Sequence, residues 1–356
     1  MGGAKSERNR TPSYADPHIS RSSWQPLTKR NAPSPQGGGN GSSMLSRTAD
    51  SLYWLSRYTE RADLVARILD ATIRLASLPS GYGGERNEWE SAVAVAGDVD
   101  IFRQHYEVMN EDTVCHFLAF NPHNPSSIRR CIETARDNAR AVRTALTTQM
   151  WETINGAWLE LRRFDKADMT REEFTGFLDW VKTVALTYDG SAYRTMLRKD
   201  AYWFTRLGTA IERADNTARI LDVKYQLLLP ATERVGGSLD YFQWTTILRE
   251  VSAMTAYHWV YRDSVKPWLV ADLLILNREM PRSLANCYEV LVRHLDLIAD
   301  AYGRRGLSQR LASTTLARLS NARIEEIFGN GLHEFVTEFI DENNGLGSAI
   351  NEQYLL

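Results

Sequence analysis

Cysteine is scarce in this sequence, with three residues among 356. Cys115, Cys131 and Cys287 form no Cys-x-x-Cys pair, and their odd number does not fit a disulfide framework. We therefore predict reduced, mostly buried thiols and a cytoplasmic protein, because disulfides are rare in that compartment.

Long apolar runs and the common ligand-binding motifs are also missing. No stretch approaches 18 uninterrupted apolar residues, so we expect a soluble chain without a membrane span. The seven histidines are scattered and form no His-Glu-x-x-His motif, which argues against a metal site. Neither GxxxxGK[ST] nor GxGxxG is present, so we expect no cofactor, and any nucleotide must be held by a partner.

The formal net charge of −2 is small but unevenly distributed. Residues 1–43 carry six Lys and Arg against two Asp and Glu, which leaves residues 44–356 with a charge of −6. Binding to nucleic acid depends mainly on neutralising phosphates, so a mildly acidic body argues against that class of partner. Small molecules and proteins remain as the expected partners.

The first 43 residues differ in composition from the rest. They include five Pro, six Gly and eight Ser, and such a segment cannot bury enough apolar surface to offset its chain entropy. We predict a disordered leader over 1–43 and a folded region over 44–356. Met44 is an alternative start of the biological chain.

Helical spacing dominates from residue 44 onward, whereas strand signals are nearly absent. The first long helix has a seam with steps of three and four, formed by Leu52, Leu55, Thr59, Ala62, Ala66, Leu69, Ile73 and Ala76. The pattern predicts an all-α protein. Further helices are predicted near 87–109, 112–120, 126–148, 150–164, 170–188, 190–229, 239–261, 264–276, 282–303, 308–328 and 332–352.

The chain also repeats itself. Residues 52–70 and 204–222 are identical at ten of nineteen positions without a gap. A second, weaker match relates 125–131 to 281–287 at nearly the same separation. Two collinear matches indicate a tandem duplication, with repeats at about 44–189 and 190–356. We expect an internally duplicated helical bundle in which the two long helices lie side by side about a pseudo-twofold axis.

Each long helix carries the sequence Glu-Arg-Ala-Asp. The Asp of each copy can pair with the Arg four residues later on its own helix. Arg61 and Arg213 have no acidic neighbour three or four positions away, and Glu60 has Arg57 as its one basic neighbour. A charge at a covered position needs a partner, because an isolated buried ion is very costly. The candidate site residues are Glu60, Arg61, Asp63, Arg67, Glu212, Arg213, Asp215 and Arg219.

Two kinds of partner are open for these arginines. In a structural ion network, Glu60 pairs with Arg213 and Glu212 pairs with Arg61 across the axis. In a binding site, Arg61 and Arg213 line a pocket and hold a carboxylate or phosphate with their planar guanidinium groups. A mixture of the two also remains open.

Several motifs in order carry a family resemblance: MLSRTADSLYWLSRYTERAD at the start of the folded region, the second ERAD, NPHNPSSIRRC at 121–131, RDNARAVR followed by MWETIN, and GLHEF at 331–335. Together they resemble the alpha-E family, bacterial helical proteins named for a Glu-Arg motif. The resemblance covers roughly 44–356 and carries over no settled activity. The resemblance implies two kinds of partner, circularly permuted ATP-grasp ligases and transglutaminase-like cysteine proteases. Members of the family are encoded beside these proteins or fused to them. That association implies a part in making, attaching or trimming a peptide-like amide product.

Two classes of function follow from these observations. The first is a helical accessory or co-catalytic subunit that binds an ATP-grasp ligase or its peptide substrate. The alternative is a stand-alone enzyme that acts on an acyl or amide group, with Glu60 and Glu212 as acid–base residues. No nucleophile–base pair is recognisable in the sequence. The arginines of 129–143 and the abundant Trp and Tyr residues are candidates for a protein interface.

Overall fold

A computed structural model describes residue 44 and residues 46–77, 88–164, 169–226 and 237–355. Every regular element in these ranges is helical, which confirms the all-α prediction. The predicted leader lies outside the described residues, so its disorder stays a prediction. The helices are α1 (Ser46–Ala76), α2 (Glu88–Ala96), α3 (Val99–His105), α4 (Glu111–Ala119), α5 (Ile128–Ala141), α6 (Thr148–Phe164), α7 (Arg171–Thr195), α8 (Asp200–Gln226), α9 (Ser238–Glu250), α10 (Met254–Tyr261), α11 (Pro267–Ile275), α12 (Leu284–Tyr302), α13 (Leu307–Asn321), α14 (Ile324–Asn330) and α15 (Leu332–Ile350).

Helix α1 lies at the centre of the fold. Every residue from 51 to 70 is buried, because α5, α7 and α8 pack along the helix and α2, α4 and α9 cover its remaining surface. The apolar seam predicted from the sequence forms only part of this surface. The charged residues of α1 are therefore enclosed as well, and each must find its partner inside the protein.

Helix α8 lies alongside α1 and runs in the same direction. Gly208 approaches the backbone of Tyr53, and two turns later the Asn216 amide donates a hydrogen bond to the Glu60 carbonyl oxygen at 3.3 Å. The contacts advance together along both helices, which fixes their parallel arrangement. A Cβ atom at position 208 would lie 2.2 Å from the Tyr53 carbonyl oxygen, so glycine permits this close approach.

The helix pairings of the first half recur in the second. Helix α1 packs against α2, α5 and α7, and α8 packs against α9, α12 and α15. The segments before α5 and α12 share a local structure. The Ser127 hydroxyl donates to the Asn121 carbonyl oxygen and caps α5, and the Ser283 hydroxyl donates to the Asn277 carbonyl oxygen and caps α12. The tandem duplication itself stays an inference from the sequence.

Several predicted helix bounds were wrong. The helix predicted over 87–109 is interrupted before Asp98, whose carboxylate accepts hydrogen bonds from the first N–H groups of α3. The helix predicted over 239–261 breaks at Ser252, which has a left-handed φ of 55°. The break predicted near residue 189 lies further along, because α7 continues through Gly190 and ends where Met196 is extended. The regions predicted as 126–148 and 308–328 are also divided, at Val142 and Ala322.

None of the helices in the described ranges combines the length and the apolar character needed to cross a membrane.

Candidate functional site

Glu212 of α8 is enclosed between two arginines of α1. Its Oε1 accepts a hydrogen bond from Nε of Arg61 at 2.5 Å, and its Oε2 accepts one from Nε of Arg57 at 2.6 Å. All three side chains are at most 6% exposed. Burial alone would raise the pKa of Glu212, but the two guanidinium groups outweigh it and lower the pKa. The carboxylate therefore stays ionised at neutral pH.

Glu60 of α1 has a matching environment. Arg213 donates two parallel hydrogen bonds, from Nε to Oε1 and from Nη2 to Oε2, both at 2.9 Å. Arg282, in the segment before α12, donates a third to Oε1 at 3.0 Å. Although burial opposes ionisation, Arg213 and Arg282 lower the pKa of Glu60 to about 2.

The aspartates of the two motifs pair within their own helices. Asp63 accepts from Arg67 at 2.8 Å, and Asp215 accepts from Arg219 at 2.7 Å. Asp63 also accepts from Nη2 of Arg282 at 2.7 Å. Arg282 therefore joins the segment before α12 to two carboxylates of α1.

Arg67 extends the cluster toward the end of α9. Its Nη1 donates to the carbonyl oxygen of Glu250 at 2.5 Å and to the hydroxyl of Ser252 at 3.1 Å. Ser252 has the left-handed φ that interrupts the predicted helix, and a guanidinium held by Asp63 supports this turn. The ion cluster and the α9–α10 turn are thus one connected structure.

Aromatic rings cover the arginines that bind Glu212. The guanidinium carbon of Arg57 lies 4.8 Å from the Trp54 ring centroid, and that of Arg61 lies 5.3 Å from the Tyr58 ring centroid. Both rings can stabilise the positive charge by cation–π interaction while they exclude water. Exclusion of water strengthens the ion pairs and raises the cost of breaking one of them.

Positive charge exceeds negative charge around Glu212. Arg57 and Arg61 carry two positive charges against one carboxylate, and Nη1 of Arg61 is buried without a hydrogen-bond partner among the described residues. The cross-helix contacts are those of the ion-network alternative. The spare donor and the excess charge are what an anion-binding site would use, so both alternatives keep an observation in their favour.

The half of the cluster around Glu60 reaches the surface. The side chains of Arg213 and Arg282 are 14% and 13% exposed, compared with 4% for Arg57 and 6% for Arg61. Arg213 also lies 3.8 Å from Asp189 of α7. A ligand from solvent can therefore meet Arg213 and Arg282 more readily than Arg57 and Arg61.

Arg57 and Arg282 were not predicted as site residues. Arg57 was recognised only as a neighbour of Glu60 on the same helix, whereas its side chain turns to Glu212 of the other helix. Arg282 occupies the position that the second sequence match aligns with Ser126. The available signal was this difference between the repeats, since an arginine replaces a serine beside an otherwise similar motif.

The thiols are poor candidates for nucleophiles. Cys115, Cys131 and Cys287 are free and buried, and burial raises the pKa of each to about 12. A thiol with that pKa is almost entirely protonated at neutral pH, so it reacts slowly. Within the ranges that the structure describes, no group of three or more His, Cys, Asp or Glu side chains could hold a metal ion.

The arginines of α5 make local contacts. Arg130 pairs with Glu133, which lies on the same helix. Arg136 donates to the Asn155 side chain at 3.0 Å, and Arg143 lies 5.1 Å from the Trp151 ring centroid. Part of the basic run is therefore used to join α5 and the turn after it to α6.

The geometry defines an all-α protein whose two central parallel helices are joined by reciprocal Glu–Arg ion pairs. The chain belongs to the Alpha-E family, described as a predicted alpha-helical domain with a conserved ER motif, and the family model matches residues 44–355. The dipeptides Glu60-Arg61 and Glu212-Arg213 both fit that motif.

Similar proteins occur in mycobacteria. Uncharacterized proteins from Mycobacterium bovis and from two strains of Mycobacterium tuberculosis are each 23% identical to this chain over 337 residues. The matches cover 86% of this chain and 36% of each relative, so the chain spans about a third of their length. No solved structure matches the chain.

Proposed function

We propose that this protein is a helical accessory or co-catalytic subunit of a system that makes or modifies amide bonds. Its partners in this proposal are an ATP-grasp-type ligase, a transglutaminase-like protein and a peptide substrate, in the cytoplasm. The observation that carries the proposal is the length of the relatives, in which the matched region is 36% of a longer chain. A domain joined to other segments in its relatives is expected to act together with them.

The geometry of the Glu–Arg cluster supports a binding role over a stand-alone acid–base enzyme. A general acid or base works best when its pKa lies near the operating pH, whereas the pKa of Glu60 is about 2 and that of Glu212 is also lowered. Both carboxylates are occupied by arginines. These side chains are suited to fixing the two central helices and to presenting Arg213 and Arg282 to an anionic group.

An exposed aromatic surface offers a site for the ligase. Helices α9, α10 and α11 expose Tyr241, Trp259, Val260 and Trp268, with Trp259 80% exposed. Trp and Tyr are enriched where protein interfaces gain most of their binding energy. We therefore expect the ligase to cover Trp259.

The test is a binding and activity experiment with an ATP-grasp-type ligase from the same organism. The full chain and the ligase are mixed and analysed by size-exclusion chromatography and titration calorimetry, and ATP-dependent amide products are measured by mass spectrometry. We expect a complex, and we expect the ligase to form more product when the chain is present.

Trp259→Ser and Leu159→Ser serve as matched variants. Leu159 is 53% exposed on α6, away from the aromatic surface in sequence. Trp259→Ser should weaken the complex at least tenfold, and Leu159→Ser should leave it unchanged. Failure of the wild-type chain to bind the ligase or to change product formation would contradict the proposed function.

A further inference from the structure

Exposed apolar side chains lie along one side of the second half of α7. Leu186 and Tyr193 are 63% and 60% exposed, and their spacing of seven residues places both on the same face of the helix. Gly190 lies between them, and a Cβ atom there would meet no atom within 4 Å, so the face has an open notch. Leu197, which is 74% exposed, extends this apolar surface beyond the end of α7.

Cations without a counter-charge border the apolar surface. Arg194, Arg198 and Lys199 are exposed, and none of them forms an ion pair in the part of the chain that the structure describes. The adjacent Asp200 accepts a hydrogen bond from the Tyr302 hydroxyl at 3.3 Å. This segment therefore presents three positive charges against one carboxylate, which already has a hydrogen-bond donor.

Arg198 is held in position by aromatic rings instead of by a carboxylate. Its guanidinium carbon lies 4.5 Å from the Tyr193 ring centroid and 4.1 Å from the Tyr202 ring centroid. Its Nη2 donates to the Tyr193 carbonyl oxygen at 2.5 Å, and its other guanidinium nitrogens have no hydrogen-bond partner among the described residues. A guanidinium group that is already oriented loses less conformational entropy when it binds an anion.

Helix α12 adds a further unpaired cation to this surface. The His294 ring lies 5.9 Å from the Tyr202 ring, and its neighbour Arg293 is exposed and has no ion pair with any described carboxylate. Burial and the positive charges of three arginines, Arg206, Arg293 and Arg198, lower the pKa of His294. Arg206 pairs with a carboxylate of α7, and the carboxylates of α12 pair with other arginines. The excess positive charge therefore belongs to the exposed groups.

We propose that this surface docks an acidic, partly apolar segment of a partner protein. The carboxylates of that segment would pair with Arg198 and Arg293, and its apolar side chains would pack on Tyr193 and Leu197. Unpaired surface cations favour an anionic partner by charge complementarity. Clustered aliphatic side chains favour a protein over a nucleic acid or a free anion. The leader 1–43 does not fit this role, because its net charge is positive.

The experiment measures the binding of synthetic peptides to the full chain by fluorescence anisotropy. The probe is the labelled peptide EELLEEFLEE, which combines carboxylates with apolar side chains. KKLLKKFLKK reverses its charge, and EEGSEEGSEE keeps the carboxylates without the apolar side chains. We expect saturable binding of the first peptide, at least tenfold weaker binding of the other two, and an affinity that falls as salt screens the exposed ion pairs.

Two variants and two matched controls complete the experiment. Arg198→Glu and Leu197→Ser should each weaken binding of EELLEEFLEE at least tenfold. Arg103→Glu makes the same change in net charge, and Val108→Ser removes an apolar side chain that is 60% exposed. Both controls precede α4, which contacts the first turn of α7 through an ion pair at the opposite end of that helix. They should bind as the wild type does, and circular dichroism checks that each variant is folded.

Three results would overturn the proposal. The first is the absence of saturable binding of EELLEEFLEE to the wild type. The second is equal weakening by Arg198→Glu and Arg103→Glu, which would reduce the effect to net charge. The third is tighter binding of a single-stranded oligothymidine of ten nucleotides, which would assign the surface to nucleic acid. None of them bears on binding of the ligase at Trp259, so this proposal and the proposed function can fail separately.

Discussion

Arg213 and Glu60 lie 153 residues apart in the chain and form a bidentate ion pair, with both N–O distances at 2.9 Å. The reciprocal pair, Arg61 with Glu212, uses one nitrogen of Arg61 and shares the carboxylate with Arg57. The two copies of the motif therefore contact each other but have different additional arginines. Substitutions in the two ion pairs should therefore have unequal effects on the free energy of unfolding.

Removal of the Glu212 charge should cost more stability than removal of Arg61. Glu212→Gln leaves two buried cations, Arg57 and Arg61, without their anion, and we expect a loss of about 3–5 kcal/mol in the free energy of unfolding. Arg61→Leu leaves Glu212 paired with Arg57 and should cost less. Urea denaturation of both variants measures this difference.

A double variant provides the control for this comparison. Arg61→Leu combined with Glu212→Gln leaves Arg57 as the single unpaired cation, so it should be more stable than Glu212→Gln alone. From the sequence one would expect Arg61→Leu to strand a carboxylate, but the contact with Arg57 removes that expectation. Equal losses for the two single variants would contradict the network described above.

The two central helices were predictable because the spacing of their apolar residues and their repeated ERAD motif are both visible in the local sequence. Seam residues such as Leu52 and Leu69 recur at helical spacing, and an identical ERAD sequence marks both helices. Partners for Arg61 and Arg213 followed from the cost of burying an isolated charge. That argument required partners to exist, and it left open whether they belong to the protein or to a ligand.

The remaining features depend on tertiary contacts that helical periodicity does not encode. Arg282 lies in a loop and reaches Glu60 because α12 packs on α8. The turn at Ser252 is supported by Arg67, which is distant in the sequence, so the apolar pattern of 239–261 continues across it without a signal. Glu250 is buried where α9 packs against α1 and α8, whereas a single glutamate in a helix is an ordinary surface residue by sequence.

Acid should weaken the protein partly through Glu60. Its pKa is about 2 in the folded state and 4.5 when unperturbed, so its contribution is present above pH 4.5 and is lost as pH falls toward 2. The difference amounts to about 3 kcal/mol. The unfolding free energy of Glu60→Gln should therefore depend less steeply on pH below 4.5 than that of the wild type. Glu338→Gln, at an exposed position of α15, is the control and should match the wild type. Parallel curves for all three proteins would refute the role of Glu60.

A rise in pH from 4.5 to 8 should weaken the protein through Glu250. This pH dependence is opposite in direction to that of Glu60. Its pKa of about 8 lies above the unperturbed value of 4.5, so the folded state holds the proton more tightly than the unfolded state does. Its contribution is complete below pH 4.5 and is lost as pH rises through 8, with a slope of up to about 1.4 kcal/mol per pH unit. Glu250→Gln should lack this slope between pH 5.5 and 8 in urea denaturation. An unchanged slope would show that Glu250 does not titrate in this range.

The three thiols should be unreactive in the native protein. Burial raises the pKa of Cys115, Cys131 and Cys287 to about 12, so the thiolate fraction at pH 8 is about one in ten thousand. A colorimetric disulfide reagent at pH 8 should label no thiol in the native chain and three in guanidinium chloride. Ser313→Cys, at an exposed position of α13, should add one fast-reacting thiol and serves as the positive control. Rapid labelling of the wild type would reopen the case for a nucleophilic cysteine.

The close approach of α1 and α8 should make position 208 intolerant of any side chain. In Gly208→Ala the new methyl group would lie 2.2 Å from the Tyr53 carbonyl oxygen and 3.1 Å from the Ser56 Cβ atom. Neither neighbour can move independently of α1, so the helices must separate and the surrounding ion pairs must lengthen. We expect a loss of about 3 kcal/mol or more, at the upper end of the cost of overpacking a core.

Gly190→Ala is the matched control, because Gly190 also lies inside a helix and its added methyl group would meet no atom within 4 Å. It should stabilise the chain by about 0.4–1 kcal/mol, since alanine restricts the unfolded chain and favours the helix. Thermal and urea unfolding of both variants test the prediction. A Gly208→Ala protein as stable as Gly190→Ala would show that the two central helices are further apart than described here.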